Sequence, residues 1–400
     1  MTRSTLAMSL LTGVSLLLRL TNLSFPRTFY FDENYTAYTA VEMAKNNRME
    51  LWLPASLPHD PPRGYEWQHP PLTRTLIAAS VIILGNKPWV WRLPSVIAGT
   101  LTIPLIFLIG KRYFSTKVGL LAAFFLAFDG LSLAQSRIAT RDALLVFFIL
   151  LSLLLMLRKN AILSAITAGL ALATKWSALP LLPLLLANSV RFNKTHTSRA
   201  TLVLLLTVLP TTVYGLTYIP YFSTGFNHID FMDLHQAIVQ HMSVHAFTLE
   251  KLHPFHSPWW KWLFGFEPIA HYLDGVHQIW AMPNFFAFWL GASAMGMSIL
   301  ALTRKKPNTN RRKQKAQSTV LAGYLAFLLP WIAIFFLKNN SSASYLHYYL
   351  PSLSFLHILS AFWIAKFLKG KHRTESTFAQ AVLASTILLF IAIYPRLVGL

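Results

Sequence analysis

Residues 140–157 read TRDALLVFFILLSLLLML, and after Asp142 a single serine interrupts the apolar side chains. Such a run crosses a bilayer as a helix, because a helix satisfies its own backbone hydrogen bonds in lipid. We therefore predict an all-α polytopic membrane protein with about eleven transmembrane helices. The other ten apolar runs lie at 5–23, 93–110, 118–136, 161–176, 177–190, 200–218, 283–303, 318–337, 348–365 and 377–395.

The composition argues against a soluble protein. Apolar residues make up 54% of the 400 residues and charged residues 12%, whereas soluble domains carry about 25% charged residues. Cysteine is absent, which excludes disulfides and thiolate chemistry. The sequence has no glycine-rich phosphate loop, so it favours a lipid-linked donor over a soluble nucleotide.

Basic residues without acidic neighbours cluster in five connections between the predicted helices. The positive-inside rule makes these connections cytoplasmic, and it places the N-terminus in the cytoplasm as well. Two cytoplasmic connections must be separated by an even number of spans. Counting the apolar run 72–84 as a further span would break this rule, so we expect the run to lie at the outer membrane surface or to re-enter the membrane from that side. Most of the formal net charge of +21 lies in these cytoplasmic connections. The membrane orientation therefore explains the positive excess, and binding to nucleic acid is not needed to explain it. The clusters are Lys111, Arg112 and Lys117; Arg158 and Lys159; Arg191, Lys194 and Arg199; Arg304 to Lys315; and Lys366 to Arg373.

Two connections on the predicted outer side are much longer than the others. We divide the chain accordingly into a seven-helix module at 1–218, a second large outer loop at 219–282, and a four-helix module at 283–400. The first large outer loop, residues 24–92, belongs to the first module. Both loops are expected to carry interfacial helices. The run 5–23 has no small-residue cleavage site, so we expect it to be retained as the first helix.

Acidic residues concentrate on the predicted outer side, where twelve of the 14 lie. Asp32 and Glu33 follow the first helix within the aromatic segment FYFDENY at 29–35. A carboxylate in such surroundings can act as a general base toward an acceptor hydroxyl. The alternative is that Asp32 caps a helix at 33–44.

Two further outer segments combine acidic and basic residues. Asp142 follows Arg137 and Arg141, which indicates either a second acidic site with Arg137 as a phosphate ligand or an ordinary helix start. Lys175 lies between two short apolar helices, where it either extends toward the membrane surface or pairs with an anion such as a lipid phosphate.

The loop 219–282 is rich in His and Trp. His241 and His245 are spaced for one helical metal-binding pair, but no set of carboxylates accompanies them, so we expect no metal site. The tryptophans fit an interfacial belt, and they also suit stacking on sugar rings.

Taken together, the motifs of this chain resemble those of the protein O-mannosyltransferases, which use a polyprenyl-phosphate sugar. The similar segments occur in the family's order over about residues 19–350. They are Arg19-Leu20, Pro26, Phe31-Asp32-Glu33, His69-Pro70-Pro71-Leu72, Trp91 to Ser95, Gly99 to Leu105, Gln135 to Ile138 with Asp142, Ala173 to Ser177, Tyr218 to Phe222 and His253 to Trp262.

The resemblance implies a helical glycosyltransferase of the lipid-sugar class with its active site on the extracytoplasmic face. It implies that Asp32 is the catalytic base of an inverting transfer to Ser or Thr, and that Glu33 orients the site. Asp142 matches the second acidic position, and Arg137 and Lys175 are the candidates for the lipid phosphate. No cofactor or metal is required. The candidates for the substrate or acceptor loop are His69, His253, Ser257 and Trp259.

The chain also departs from the family pattern. The loop 219–282 leaves no room for the large soluble insertion of eukaryotic members, which favours a bacterial-type enzyme of the plasma membrane. Thr140 and Arg141 stand where the family usually has apolar residues. The alternatives are the same chemistry with a lipid or glycan acceptor, and, more remotely, a lipid-linked sugar transporter. The sequence is compatible with a monomer or a dimer.

Overall fold

Apolar helices run along both halves of the chain. The computed structural model describes residues 2–54, 64–192, 198–248, 255–304, 311–337, 344–370 and 372–400. Among these residues, five helical segments are long and apolar enough to cross a bilayer, and six shorter helices are also apolar. The protein is therefore a multi-pass membrane protein. The five long segments are Pro88–Tyr113, Phe285–Thr303, Arg311–Leu337, Leu346–Phe367 and Arg373–Val398.

Ten helices form the described part of the first module. Several begin at a polar residue whose side chain accepts a backbone N–H: Ser115 accepts from Val118, and Asn160 accepts from Leu163. The helices are α1 (Arg3–Leu20), α2 (Thr36–Lys45), α3 (Leu72–Leu84), α4 (Pro88–Tyr113), α5 (Thr116–Ala127), α6 (Gly130–Gln135), α7 (Asp142–Leu157), α8 (Ala161–Thr174), α9 (Leu181–Phe192) and α10 (Arg199–Leu216).

The rest of the chain adds seven helices and one hairpin within its described residues. Asn284 caps α14: its side chain accepts from the Ala287 N–H and donates to the carbonyl oxygen of Thr386 at 2.8 Å. The elements are α11 (Ile219–Phe222), α12 (His228–Thr248), α13 (Trp259–Trp262), β1 (Ile269–Leu273), β2 (Gln278–Ala281), α14 (Phe285–Thr303), α15 (Arg311–Leu337), α16 (Leu350–Phe367) and α17 (Arg373–Val398).

The prediction of an all-α fold was wrong for residues 269–281. There, β1 and β2 pair as an antiparallel hairpin with an irregularity between Ala270 and Tyr272. The turn contains Asp274, whose carboxylate accepts from two backbone N–H groups, and Gly275, whose φ is +91°. Asp-Gly between two short apolar runs is a strong hairpin signal, which was missed because the segment lies within a long loop.

The predicted helix at 118–136 is broken. Asp129 lies between α5 and α6, and its Oδ1 accepts from the Ser132 N–H at 2.7 Å, so it caps α6 instead of lying within a helix. The other ten predicted helices are continuous over most of their length. The number that cross the bilayer and the cytoplasmic N-terminus stay predictions.

The two helical modules share one hydrophobic core. Its buried residues come from α4 to α10 in the first module and from α14 to α17 in the second. Helix α16 packs against α5 and α7 as well as against α14 and α15. The division of the chain into modules stays an interpretation, but this packing brings residues of both halves to the same end of the bundle.

Helix α3 coincides with the apolar run 72–84. It packs against α2, α4 and α8. Its last residues, Ile82 and Ile83, are 68% and 77% exposed, so α3 presents an apolar surface away from the bundle. The position of α3 at the outer membrane surface stays a prediction.

Candidate active site

A buried ion pair joins Glu33, in the segment that follows α1, to Arg92 on α4. Arg92 Nε and Nη2 donate to the two carboxylate oxygens of Glu33 at 2.8 and 2.9 Å, and neither side chain is more than 1% exposed. The same guanidinium donates to four carbonyl oxygens between residues 23 and 28. The Ala139 N–H also donates to Glu33. This burial favours a positioning role for Glu33 over direct proton transfer.

Asp32 lies beside this pair in a short 3₁₀ turn, Phe31–Asn34. Its side chain is 29% exposed, and its Oδ2 accepts from Arg141 Nη2 at 3.3 Å. Arg141 Nη1 also pairs with Glu66, a carboxylate that is 1% exposed. Arg141 therefore bridges two acids of the first outer loop, and the more exposed of the two is Asp32.

Asp142 and Lys175 form a second buried ion pair next to Arg141. The Lys175 Nζ lies 3.0 Å from Asp142 Oδ1, and the side chains are 8% and 4% exposed. Lys175 Nζ also lies 4.4 Å from the centroid of the Tyr348 ring, which is a cation–π contact.

Residues from the C-terminal half contact the Asp32 turn. The rings of Phe31 and His271 stack with their centroids 4.5 Å apart, and Phe31 lies 6.4 Å from His347. His271 Nε2 lies 3.2 Å from Gln135 Nε2. Burial lowers the pKa of His271 to about 3, so its ring is neutral at neutral pH. The candidate site is thus built by both halves of the chain.

Arg137 lies at the end of α1 instead of beside Lys175. Its Nη1 donates to the carbonyl oxygens of Leu18, Arg19 and Thr21 at 3.3, 2.6 and 2.6 Å. Carbonyls at a helix C-terminus have no partners within the helix, so these bonds stabilise that end of α1. Its role as a phosphate ligand stays a prediction, and this geometry favours a structural role.

The four candidates for the acceptor loop differ in their surroundings. His69 precedes α3, and its buried Nδ1 has no hydrogen-bond partner. Ser257 is buried, and its Oγ accepts from Trp262 Nε1 at 2.9 Å while its N–H donates to the Ser344 carbonyl oxygen. Trp259 begins α13 and packs against the shared core. His253 lies outside the described residues. Roles for all four stay predictions.

The alternative in which Asp32 caps a helix at 33–44 was wrong. Helix α2 begins at Thr36 without a side-chain cap, so Asp32 caps no helix there. Asp142 is the first residue of α7, so it does lie at a helix start, and its carboxylate also accepts from Lys175. Both acids therefore make tertiary contacts.

Three residues that build the site were not identified from the sequence. They are Arg92, Arg141 and Glu66, to which the sequence pattern assigns no role. The available signal was a charged residue beside aromatic or apolar neighbours near the predicted outer surface. Such residues, when buried, require an oppositely charged partner.

In the described part of the chain, no three His, Asp or Glu side chains converge as a metal-binding group. The ring of His241 contacts Trp67 at a centroid distance of 4.9 Å. The side chain of His245 lies outside the described atoms. Metal independence stays a prediction.

This fold is similar to those of solved multi-pass glycosyltransferases. The Saccharomyces cerevisiae protein O-mannosyltransferase Pmt1-Pmt2 complex, solved bound to the sugar donor, aligns with a TM-score of 0.81 at 12% identity and covers 100% of this chain and 90% of its own. ArnT from Cupriavidus metallidurans, solved bound to undecaprenyl phosphate, aligns with a TM-score of 0.62 at 14% identity and covers 98% and 75%. The chain thus has the fold of these multi-pass membrane glycosyltransferases.

Two family models match consecutive parts of the sequence. Residues 68–214 match "Dolichyl-phosphate-mannose-protein mannosyltransferase", and residues 228–400 match "C-terminal four TMM region of protein-O-mannosyltransferase". A polyprenol-phosphate-mannose–protein mannosyltransferase of Mycobacterium tuberculosis is 25% identical over 397 residues, covering 81% of this chain and 74% of the relative. The chain belongs to the protein O-mannosyltransferase family.

Proposed function

We propose that this protein transfers mannose from a polyprenyl-phosphate carrier to Ser and Thr hydroxyls of extracytoplasmic proteins, with inversion at the anomeric carbon. The observation that carries the proposal is the partly exposed Asp32 carboxylate, held by Arg141 beside the buried Asp142–Lys175 pair. The sugar and the acceptor class follow from family membership and from the names of the mycobacterial relatives.

In this proposal Asp32 is the general base. Its carboxylate takes the proton of the acceptor hydroxyl while the oxygen attacks the anomeric carbon. The bond from that carbon to the phosphate oxygen breaks, and its electron pair leaves with the polyprenyl phosphate. Arg141 Nη2 donates to Asp32 Oδ2 at 3.3 Å and so orients the carboxylate. The exposed fraction of Asp32 lets the proton pass to water afterwards.

Lys175 is proposed to neutralise the departing phosphate. It lies next to Asp142, the neighbour in sequence of Arg141, so its ammonium is close to the Asp32 turn. An ammonium in a buried site interacts more strongly with an anion than it does in water. The base and the cation both come from the chain, so the reaction requires no cofactor.

A transfer assay tests this function directly. Purified protein would be incubated with radiolabelled polyprenyl-phosphate mannose and a Ser- and Thr-rich peptide, with and without prior chelation of divalent metals. We expect labelled peptide in both conditions. If label appears in lipid or glycan but never in peptide, the acceptor is a lipid or glycan and not a protein. If activity disappears on chelation, the reaction depends on a metal.

The proposed location is the plasma membrane, with the active site on its extracytoplasmic face. The absence of cysteine makes a topology map simple, because each introduced cysteine is the sole thiol. We expect a membrane-impermeant maleimide to label Lys87→Cys in intact cells and to label Lys159→Cys only after permeabilisation. Labelling of position 159 from outside, with position 87 protected, would contradict the orientation.

We expect Lys175→Met to weaken donor binding by about tenfold or more, because a hydrogen bond or ion pair to a charged group contributes about 1.5–3 kcal/mol. The change also leaves Asp142 buried without its partner, so the variant should be less stable. Donor KM and thermal unfolding are the measurements, and Lys261→Met, which removes a more exposed pairing with Glu267, is the matched control.

The double variant Lys175→Met/Asp142→Asn separates the two effects. It removes both buried charges, so we expect stability to recover while donor KM stays high. Recovery of both quantities together would contradict a direct role of Lys175 in donor binding.

A further inference from the structure

The start of α3 holds a group of buried polar atoms without partners. Arg74 is 1% exposed, yet its Nε, Nη1 and Nη2 make no hydrogen bond, and the same is true of Thr73 Oγ1 and His69 Nδ1. Buried polar atoms are nearly always hydrogen-bonded, and a buried charge without a partner is costly. Three such residues within six positions of the sequence therefore require a ligand or an explanation.

The guanidinium of Arg74 is stacked but not hydrogen-bonded. Its Cζ lies 4.0 Å from the ring centroid of Trp52, which itself packs against Tyr221. Stacking occupies the flat face of the guanidinium. The N–H groups, which point outward in its plane like a fork, still need hydrogen-bond acceptors. That fork matches two oxygens of a phosphate or a carboxylate.

The other buried arginines in the described part of the chain are already engaged. Arg19 donates to Ser136 and Ser15, Arg92 pairs with Glu33, and Arg137 and Arg141 donate to carbonyl or carboxylate oxygens. Arg74 differs from them because none of its nitrogens has an acceptor. An anionic ligand is therefore the simplest partner for Arg74.

His69 connects this group electrostatically to the candidate active site. Burial lowers the pKa of His69 to about 3, and the positive charges of Lys175 and Arg74 contribute to the lowering. Helix α3 also packs against α8, and Lys175 directly follows the last residue of α8.

We propose that Arg74, with Thr73 and His69, binds the phosphate of the polyprenyl carrier. The inference rests on the proposed use of a polyprenyl-phosphate donor. The exposed apolar end of α3 at Ile82 and Ile83 offers a lipid-facing surface for the isoprenoid chain. Transfer converts a phosphodiester into a phosphomonoester with more negative charge, so the fork of Arg74 stabilises the product carrier more than the donor.

Binding of farnesyl phosphate to the full chain in phosphatidylcholine nanodiscs tests the proposal, with farnesol and inorganic phosphate as comparison ligands. We expect Arg74→Met to weaken farnesyl phosphate binding by about tenfold or more and to leave farnesol binding unchanged. Arg48→Met, an exposed arginine of the same outer loop, is the matched control and should bind as the unaltered chain does.

Several results would overturn the proposal. Unchanged farnesyl phosphate binding by Arg74→Met rejects the site, and inorganic phosphate binding as tightly as farnesyl phosphate rejects the lipid source. A raised KM for acidic acceptor peptides, with unchanged lipid-phosphate binding, assigns Arg74 to the acceptor instead. We expect Arg74→Met to fold, since it removes an unpaired buried charge; otherwise Arg74→Gln is measured by the same criteria.

The binding assay contains no sugar, so its outcome is independent of mannosyl transfer. Asp32→Asn should bind farnesyl phosphate normally. If the transfer assay fails while Arg74→Met still loses phosphate binding, the proposed function fails and the phosphate site stands. If transfer succeeds and Arg74→Met binds normally, the phosphate site fails alone.

Discussion

Asp32→Asn is expected to lower the rate of mannosyl transfer about a thousandfold while the protein stays folded. General base catalysis by a positioned carboxylate typically contributes 10²–10⁴-fold, and an amide of the same shape cannot accept the proton. The amide oxygen still accepts a hydrogen bond from Arg141 Nη2, which lies 3.3 Å from Oδ2. Single-turnover rates with radiolabelled donor and peptide measure the loss.

Two comparisons make this result specific to Asp32. Asp233→Asn changes an exposed carboxylate on α12 and should leave the rate unchanged. Donor KM should change little in Asp32→Asn, because the proposed phosphate ligands are Lys175 and Arg74. A rate within about tenfold of the unaltered protein would remove Asp32 from the role of base.

Arg92→Met is expected to destabilise the protein by about 3–5 kcal/mol, since removing one partner leaves a buried charge uncompensated. Glu33 is fully buried and takes two hydrogen bonds from Arg92. The variant also releases the carbonyl oxygens of residues 23–28 that Arg92 binds. Because this segment leads into the Asp32 turn, transfer should fall together with stability. Reversible unfolding in mixed detergent micelles measures the first effect and the transfer assay the second.

The double variant Arg92→Met/Glu33→Gln distinguishes a charge effect from a packing effect. Neutralising Glu33 removes the unpaired charge, so we expect it to recover part of the stability but not the activity. Arg48→Met, which breaks an exposed pairing with Glu42, should have almost no effect on either quantity. If Arg92→Met unfolds at the same denaturant concentration as Arg48→Met, the buried pair does not hold the loop.

Helix positions were predictable because they follow from local composition. A run such as 142–157 is helical in lipid whatever its neighbours are, since lipid offers no other hydrogen-bond partner. Two segments differ from the predicted helices, and in both the cause is a short polar motif that apolar runs do not reveal. One is Asp129, which caps α6, and the other is the Asp-Gly turn at 274–275 between two short strands.

The chemical groups of the site were also visible in the sequence, but their partners were not. Asp32, Asp142 and Lys175 stood out because charges are rare near the predicted outer surface. The chain offers 35 Lys and Arg for 14 acids, so no rule of spacing pairs Glu33 with Arg92 or Asp32 with Arg141. Those partners lie 59 and 109 positions apart.

Only the packing of the helices distinguishes arginines that are free to bind a ligand from arginines whose hydrogen bonds stabilise the fold. Arg137 was a phosphate candidate by its position near Asp142, yet its guanidinium bonds the carbonyl oxygens at the end of α1. Arg74 carried no signal in the sequence, yet it is the buried arginine whose described nitrogens all lack an acceptor. Apolar runs and sparse charges are local properties of the chain, whereas the counter-charge of a buried ion depends on which helices pack together.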